Sequence, residues 1–142
     1  EHAGPIDEAL RPLIGNRIYG CDDCQLACPW NKFAQVSPWP DWQARDGLGA
    51  GRVAELMAWS EAEFLRRTEG SAIRRIGHAR WLRNLALAAG NALASPALPE
   101  IEREVLLQGL AVHAAHSDPV VQEQVAWSQA QNSARLASSS RT

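Results

Sequence analysis

The second half of the chain has the hydrophobic pattern of amphipathic helices. Between residues 78 and 94, the apolar residues Trp81, Leu85, Ala88 and Ala92 recur every three or four positions and share one helix face. Similar spacing predicts further helices on both sides of this one. The predicted helical segments are 53–58, 60–67, 71–77, 78–94, 100–116 and 119–131. The chain is therefore expected to be mainly α from residue 52 onward.

Capping residues mark where several of these helices begin. Ser60 is followed three positions later by Glu63, which is the spacing of a capping box, and Ser71 precedes a short apolar turn. Asp118 stands directly before Pro119, so a cap and a first-turn proline coincide there. These residues predict three helix N-termini.

Turn-forming residues divide the chain into unequal parts. Residues 37–51 are rich in proline and glycine and form a predicted linker between a first part, residues 1–36, and a helical domain, residues 52–132. Residues 133–142 are rich in serine and alanine and are expected to be a disordered tail. The short connections between helices favour a HEAT-like α-helical repeat stack, and a plain helical bundle is the alternative.

Composition excludes several classes of protein. The chain has 142 residues, 46% of them hydrophobic, which is typical of a folded domain. No apolar run reaches the ~18–20 residues of a membrane span, and the first residues do not resemble a signal peptide. Three cysteines within eight residues favour metal binding in a reducing compartment over disulfides. We therefore expect a cytoplasmic protein that does not enter a membrane.

The strongest chemical signal is a run of cysteines near the N-terminus. Cys21, Cys24 and Cys28 follow the spacing Cys-x2-Cys-x3-Cys-Pro, and Pro29 starts a helix. In two-cluster ferredoxins the cysteine before the proline binds the other iron–sulfur cluster, which assigns Cys21 and Cys24 to one cluster and Cys28 to a second. Each cluster needs four ligands, so the remaining ligands must come from other sequence. A zinc site of the three cysteines and His2 is the alternative.

Two longer segments resemble one family of enzymes. The first comprises EHAGPI, residues 1–6, LRPLIGNRIYGCDDCQ, residues 10–25, and CPWNK, residues 28–32. The second comprises TEGSAIRRIG, residues 68–77, and runs on through RWLRN, residues 80–84, to Gly90 and Asn91. Over about residues 1–132, the chain is similar to epoxyqueuosine reductase.

The resemblance implies a reaction and a set of cofactors. Enzymes of this family reduce epoxyqueuosine to queuosine at the wobble position of tRNA, using cobalamin, two [4Fe–4S] clusters and an external electron donor. The chain would be the end of a ferredoxin-like module followed by a HEAT-like domain, monomeric and inactive without an upstream catalytic domain. By the same resemblance, Cys21 and Cys24 hold the cluster nearer cobalamin, Cys28 holds the other, and the Cys21–Asp22 backbone contacts cobalamin. The alternative is a non-catalytic ferredoxin-type electron-transfer module fused to a helical docking domain.

A group of arginines forms the expected tRNA contact. Six arginines and one acidic residue lie between positions 66 and 83, although the net charge of the chain is −2. Guanidinium groups bind phosphates in two-pronged contacts, which makes arginine suited to a tRNA backbone. The residues assigned to tRNA are Arg74, Arg75, Arg80, Arg83 and Arg11. The alternative is a solvated helix face whose arginines pair with Glu61, Glu63 and Glu69.

Overall fold

The computed structural model describes residues 2–40, 48 and 51–139, and it is 64% helical. No strand occurs in these ranges, so the expected mainly α fold is confirmed. None of the helices described is long and apolar enough to cross a membrane. The helices are α1 (Arg11–Ile14), α2 (Asp23–Leu26), α3 (Val53–Met57), α4 (Glu61–Arg67), α5 (Gly77–Ala94), α6 (Glu100–Val112) and α7 (Pro119–Ser139), with 3₁₀ helices over Pro29–Phe33 and Ala72–Ile76.

Side-chain caps begin the helices where the sequence predicts them. Ser60 Oγ accepts a hydrogen bond from the backbone N–H of Glu63 at 3.2 Å, and Ser71 caps the following 3₁₀ helix in the same way. Asp118 Oδ1 accepts a hydrogen bond from the N–H of Val120 at 2.8 Å, at the start of α7. Each cap satisfies an N–H group that has no partner inside its helix. The three predicted starts are confirmed.

Helix α5 is the centre of the packing. Its buried residues include Trp81, Leu85 and Leu93, and it packs most extensively against α7. Leu110 of α6 and Val125 of α7 are buried in the same core. Because α5 contacts α1 as well as α3, α6 and α7, it connects the first part of the chain to the helical domain.

The buried face of α6 differs from the one that a hydrophobic pattern indicates. Ile101 and Val112 are apolar, but they are 72% and 79% exposed. The buried residues of α6 are Arg103, Leu106 and Leu110, which are spaced by three and four positions. The buried stripe of this helix therefore begins with an arginine, which a pattern of apolar residues cannot show.

The C-terminal end of α7 also differs from prediction. Helix α7 continues through Ser139, so the expectation of a disordered tail is wrong for residues 133–139. No proline or glycine interrupts this stretch, and its alanine and leucine residues favour continuation of a helix that has already started. Residues 140–142 of the expected tail, and residues 41–47, 49 and 50 of the expected linker, lie outside the described residues.

Candidate functional site

The three cysteines lie on a tight loop that contains α2. Cys21 stands between Gly20 and Asp22, whose φ angles are +65° and +53°. Left-handed conformations are readily adopted by glycine and tolerated by aspartate, and here they turn the chain before and after Cys21. Cys24 lies within α2, and Cys28 has an extended backbone directly before the following 3₁₀ helix. The loop thus places Cys28 on a different local structure from the other two cysteines.

Hydrogen bonds within the loop hold its shape. The carbonyl of Asp22 accepts hydrogen bonds from two N–H groups of α2, at 2.8 and 2.9 Å. The Asn31 side chain donates to the carbonyl of Gln25 and so joins α2 to the next 3₁₀ helix. Arg17 Nη2 donates to Asp23 Oδ1 at 2.8 Å, and this hydrogen bond raises the pKa of Arg17. The loop is therefore fastened to both of its flanking segments.

The thiols of this loop are available as metal ligands. Cys21 and Cys24 are exposed, Cys28 is half-buried, and all three are free thiols. His2, the fourth ligand of the zinc alternative, hydrogen-bonds to the carbonyl of Pro5 at 3.2 Å. In the part of the chain that the structure describes, no three His, Cys, Asp or Glu side chains are gathered as a metal-binding group. Thiolates are the usual ligands of iron–sulfur clusters, and exposed thiols leave room for ligands from another segment.

Large apolar side chains beside the cysteines are exposed. Leu26, Trp30 and Phe33 are 78%, 73% and 64% exposed. The rings of Trp30 and Phe33 lie 5.7 Å apart, and Lys32 Nζ lies 4.9 Å from the Phe33 ring. Clustered exposed apolar groups are typical of surfaces that contact other protein segments.

Polar side chains of α5 hold the segment that leads into the cysteine loop. Asn84 Nδ2 donates to the carbonyl of Ile18 at 2.7 Å. Two turns further along the same helix, Asn91 Nδ2 donates to the carbonyls of Arg11 and Gly15 at 2.8 and 2.7 Å. Sequence reasoning missed both residues because their acceptors are backbone carbonyls more than 60 positions away. The only available signal was their place within the second family-like segment.

Two of the five arginines assigned to tRNA are buried. Arg83 is 4% exposed, its guanidinium donates to the carbonyls of His2 (2.7 Å) and Gly4 (2.8 Å), and burial lowers its pKa. Arg11 is 2% exposed and donates to a backbone carbonyl and to the carboxylate of Glu123 at 2.7 Å. A buried guanidinium that already donates to protein acceptors is not available to a phosphate. We therefore correct both assignments: Arg83 and Arg11 fasten the first part of the chain to the helical domain.

The other three arginines lie nearer the surface. Arg74 and Arg75 are exposed on the 3₁₀ helix before α5, while Ile76 beside them is 4% exposed and points into the core. Arg80, in the first turn of α5, is half-buried. The inward and outward positions of this turn therefore agree with the sequence pattern, and Arg74 and Arg75 can be reached by a ligand.

An acidic residue of α4 pairs with neighbouring arginines of the same helix. Glu63 accepts hydrogen bonds from Arg66 Nη2 at 2.9 Å and from Arg67, and these two contacts lower its pKa to about 2. Both arginines therefore belong to an ion-pair network within one helix face. They were not among the residues assigned to tRNA.

The chain is similar in sequence to enzymes from several bacteria. It is 60% identical over 131 residues to the epoxyqueuosine reductase of Alicycliphilus denitrificans, which covers 92% of this chain and 36% of that protein. It is 52% identical over 132 residues to the enzyme of Xanthomonas campestris and 51% identical over 131 residues to that of Escherichia coli. These alignments cover 93% and 92% of this chain, and 35% and 32% of the two enzymes. The chain matches the C-terminal part of epoxyqueuosine reductases.

The chain spans about a third of the length of the epoxyqueuosine reductases that it matches. No protein-family model matches the chain, and no solved structure matches it. Because the alignment with the Alicycliphilus denitrificans enzyme covers 92% of the chain, it includes both the cysteine loop and α5. The resemblance to epoxyqueuosine reductase is thereby confirmed.

Proposed function

We propose that this chain is the C-terminal part of an enzyme that reduces epoxyqueuosine to queuosine in tRNA. The observation that carries the proposal is the 60% identity to an epoxyqueuosine reductase over 92% of the chain. The loop of free cysteines and the exposed arginines before α5 supply the chemistry that such an enzyme needs from this part. The catalytic domain comes from sequence outside this chain.

In this proposal the cysteine loop contributes ligands to two [4Fe–4S] clusters. Cys21 and Cys24 bind one cluster, and Cys28 binds the other. When bound, the clusters would supply one-electron transfer between an external donor and cobalamin. The backbone of Cys21 and Asp22 would contact cobalamin, and the Asp22 carbonyl also accepts hydrogen bonds from two N–H groups of α2.

The proposal extends to the folds of the two parts. Helices α5, α6 and α7 follow one another through short connections at residues 95–99 and 113–118, and they share one core. This arrangement supports a HEAT-like repeat stack, in which neighbouring helices bury faces that none could bury alone. The first 36 residues are the end of a ferredoxin-like module whose remaining part lies in other sequence.

Metal analysis of the full-length enzyme tests the proposed function. The wild-type protein is expected to contain about eight irons per chain, equimolar sulfide and bound cobalamin, and to convert epoxyqueuosine in tRNA. In Cys28→Ala, one cluster signal in the electron paramagnetic resonance (EPR) spectrum should be lost preferentially, because Cys28 serves a different cluster from Cys21 and Cys24. Cys24→Ala is the matched control and should affect the other signal. Stoichiometric zinc without sulfide would refute the proposal, and equal loss of both signals in Cys28→Ala would refute the ligand assignment.

The exposed arginines before α5 are the proposed tRNA contact of this part of the enzyme. Arg74 and Arg75 project from one turn, and Arg80 follows in the first turn of α5. Arginine contacts to phosphates position an RNA without reading its sequence, and their strength depends on salt. This surface would therefore hold the tRNA backbone, and recognition of the modified base would belong to the catalytic domain.

Charge reversal at this surface should weaken tRNA binding. The double variant Arg74→Glu, Arg75→Glu is expected to bind tRNA roughly tenfold more weakly at low salt. The slope of log K against log salt should decrease by about 1 for each phosphate that the variant no longer binds. Arg52→Glu, which reverses an exposed arginine paired with Glu102 of α6, is the control and should bind as the wild type does. An unchanged affinity and salt slope in the double variant would exclude the surface as a tRNA contact.

A further inference from the structure

We propose that Asn84, held in place by Arg83, is a positioning residue for the cluster ligands Cys21 and Cys24. The inference rests on the proposed function, because it assigns to α5 a specific task in the cluster site. Nothing in the sequence motif alone distinguishes this task from a contact with tRNA. The inference is supported by the hydrogen bonds of Asn84 and by the short path of the chain from Ile18 to Cys21.

The Asn84 side chain is fixed in one orientation. Its Oδ1 accepts hydrogen bonds from Arg83 Nε at 3.1 Å and Arg83 Nη2 at 2.9 Å. Its Nδ2 donates to the carbonyl of Ile18 at 2.7 Å. Since a guanidinium only donates and a carbonyl only accepts, exchanging the amide N and O would break all three contacts. Asn84 is therefore a directional link between α5 and the backbone before the cysteines.

Arg83 is itself held rigidly. It is 4% exposed, and its Nη1 donates to the carbonyls of His2 at 2.7 Å and Gly4 at 2.8 Å. A buried guanidinium without such acceptors incurs a large desolvation penalty, so the orientation of Arg83 is strongly preferred. Arg83 and Asn84 together bind three backbone carbonyls of the first part of the chain, those of His2, Gly4 and Ile18, to one turn of α5.

The anchored carbonyl of Ile18 lies only three residues before Cys21. Ile18 and Tyr19 pack against the hydrophobic core, and Gly20 then turns the chain with a φ of +65°. Beyond this point the loop is exposed from Cys21 to Ala27. Two other hydrogen bonds hold the loop, from Arg17 to Asp23 and from Asn31 to Gln25, and both are exposed. They restrain the loop less than the Asn84 hydrogen bond does, because solvent weakens exposed contacts.

The segment has room to move if the anchor is removed. A cavity of about 300 Å³ lies between Ile18–Gly20 and α5, and Arg80, Arg83 and Asn84 line its other wall. Without the hydrogen bond from Asn84, the backbone carbonyl of Ile18 would need a new partner, and the chain could shift into this space. Such a shift would move Cys21 first, because it stands at the end of the anchored segment, and Cys24 with it through α2.

Asn91 provides a matched control for Asn84. Both are half-buried asparagines on the same face of α5, seven positions apart, and both donate from Nδ2 to backbone carbonyls of the first part of the chain. The acceptors of Asn91 are Arg11 and Gly15, which lie further from Cys21 along the chain than Ile18 does. The two asparagines therefore offer similar stabilisation at different distances from the cluster ligands.

Asn84→Ala and Asn91→Ala, made in the full-length enzyme, test the inference. Both variants should melt at a lower temperature than the wild type, because each lacks the hydrogen bonds that its asparagine donates to partly buried carbonyls. Only Asn84→Ala should shift the midpoint potential and the EPR line shape of one cluster, with the other cluster unchanged. If Asn84→Ala does not yield folded protein, the same measurements are made on Asn84→Ser, whose shorter side chain keeps a polar group but does not reach the Ile18 carbonyl.

The outcomes separate this inference from the function on which it rests. A wild-type enzyme without iron–sulfur clusters would overturn the proposed function and the inference with it. A wild-type enzyme with both clusters, together with wild-type potentials in the Asn84 variant, would overturn the inference alone. Equal shifts in the Asn84 and Asn91 variants would also overturn it, since they would reflect general loosening of the first part of the chain.

Discussion

Arg103→Ala is expected to lower the free energy of unfolding by about 3–5 kcal/mol. Arg103 is 1% exposed, and its guanidinium donates to the carbonyls of Leu93 (2.7 Å), Ser95 (3.0 Å) and Leu98 (3.4 Å). These carbonyls lie at the end of α5 and in the connection to α6, where a helix leaves its last acceptors without partners. Alanine would remove every donor at once and leave a cavity where the guanidinium lay. Urea denaturation followed by far-UV circular dichroism measures the loss.

Two variants show whether burial causes this effect. Arg52→Ala removes a 69% exposed arginine whose partner is Glu102, the neighbour of Arg103 on α6, and it should cost less than about 1 kcal/mol. Arg103→Lys keeps the positive charge but not the planar set of donors, so it should recover only part of the missing stability. Equal stability of Arg103→Ala and Arg52→Ala would show that the buried hydrogen bonds do not stabilise the fold as described.

Gly90→Ala is also expected to have a large effect, because it should lower the free energy of unfolding by about 1–3 kcal/mol. In an exposed helix this substitution would instead stabilise by about 1 kcal/mol, because alanine has the better helix propensity. At Gly90 an added Cβ would lie 2.6 Å from Trp127 Cζ3 and 2.9 Å from the Cα of Ser128. The backbone of α7 would have to move away from α5, and the hydrogen bond from Ser128 Oγ to the carbonyl of Ala86 (2.7 Å) would be stretched.

Gly109→Ala is the matched control for this substitution. Gly109 lies inside α6, and a Cβ there would meet Met57 Sδ at 3.9 Å, which is an ordinary van der Waals contact. The same chemical change should therefore be neutral or stabilise by up to about 1 kcal/mol. Thermal melts of the two variants should shift in opposite directions, or Gly90→Ala alone should shift downward. A higher melting temperature for Gly90→Ala would show that α5 and α7 do not approach as closely as described.

Local features of the protein were predictable because neighbouring residues determine them. A serine or aspartate can cap a helix with its own side chain, so Ser60, Ser71 and Asp118 marked helix starts correctly. The outward position of Arg74 and Arg75 followed from Ile76, since the helical repeat turns neighbouring residues to different faces. The spacing of the cysteines and the two family-like segments were likewise readable from the order of residues alone.

Features that depend on distant acceptors were not predictable. Arg83, in an arginine-rich segment, and Arg11 look like surface residues in the sequence, yet both are buried against backbone carbonyls of the first part of the chain. Arg103 is a similar case, and its only sequence signal is its spacing from Leu106 and Leu110 on the buried stripe of α6. A pattern of apolar residues cannot indicate an arginine whose partners are backbone carbonyls outside its own helix.

The order of the amino acids was enough to predict the helices, most of their starts, the cysteine loop and the similarity to epoxyqueuosine reductases. Each of these rests on short-range spacing or on the order of residues, which the chain carries in any conformation. The packing of the helices, by contrast, shows which arginines face solvent, why Gly90 lacks a side chain and how Asn84 reaches the carbonyl of Ile18. Those features depend on where the helices cross, because burial and hydrogen bonding to distant backbone groups exist only after packing.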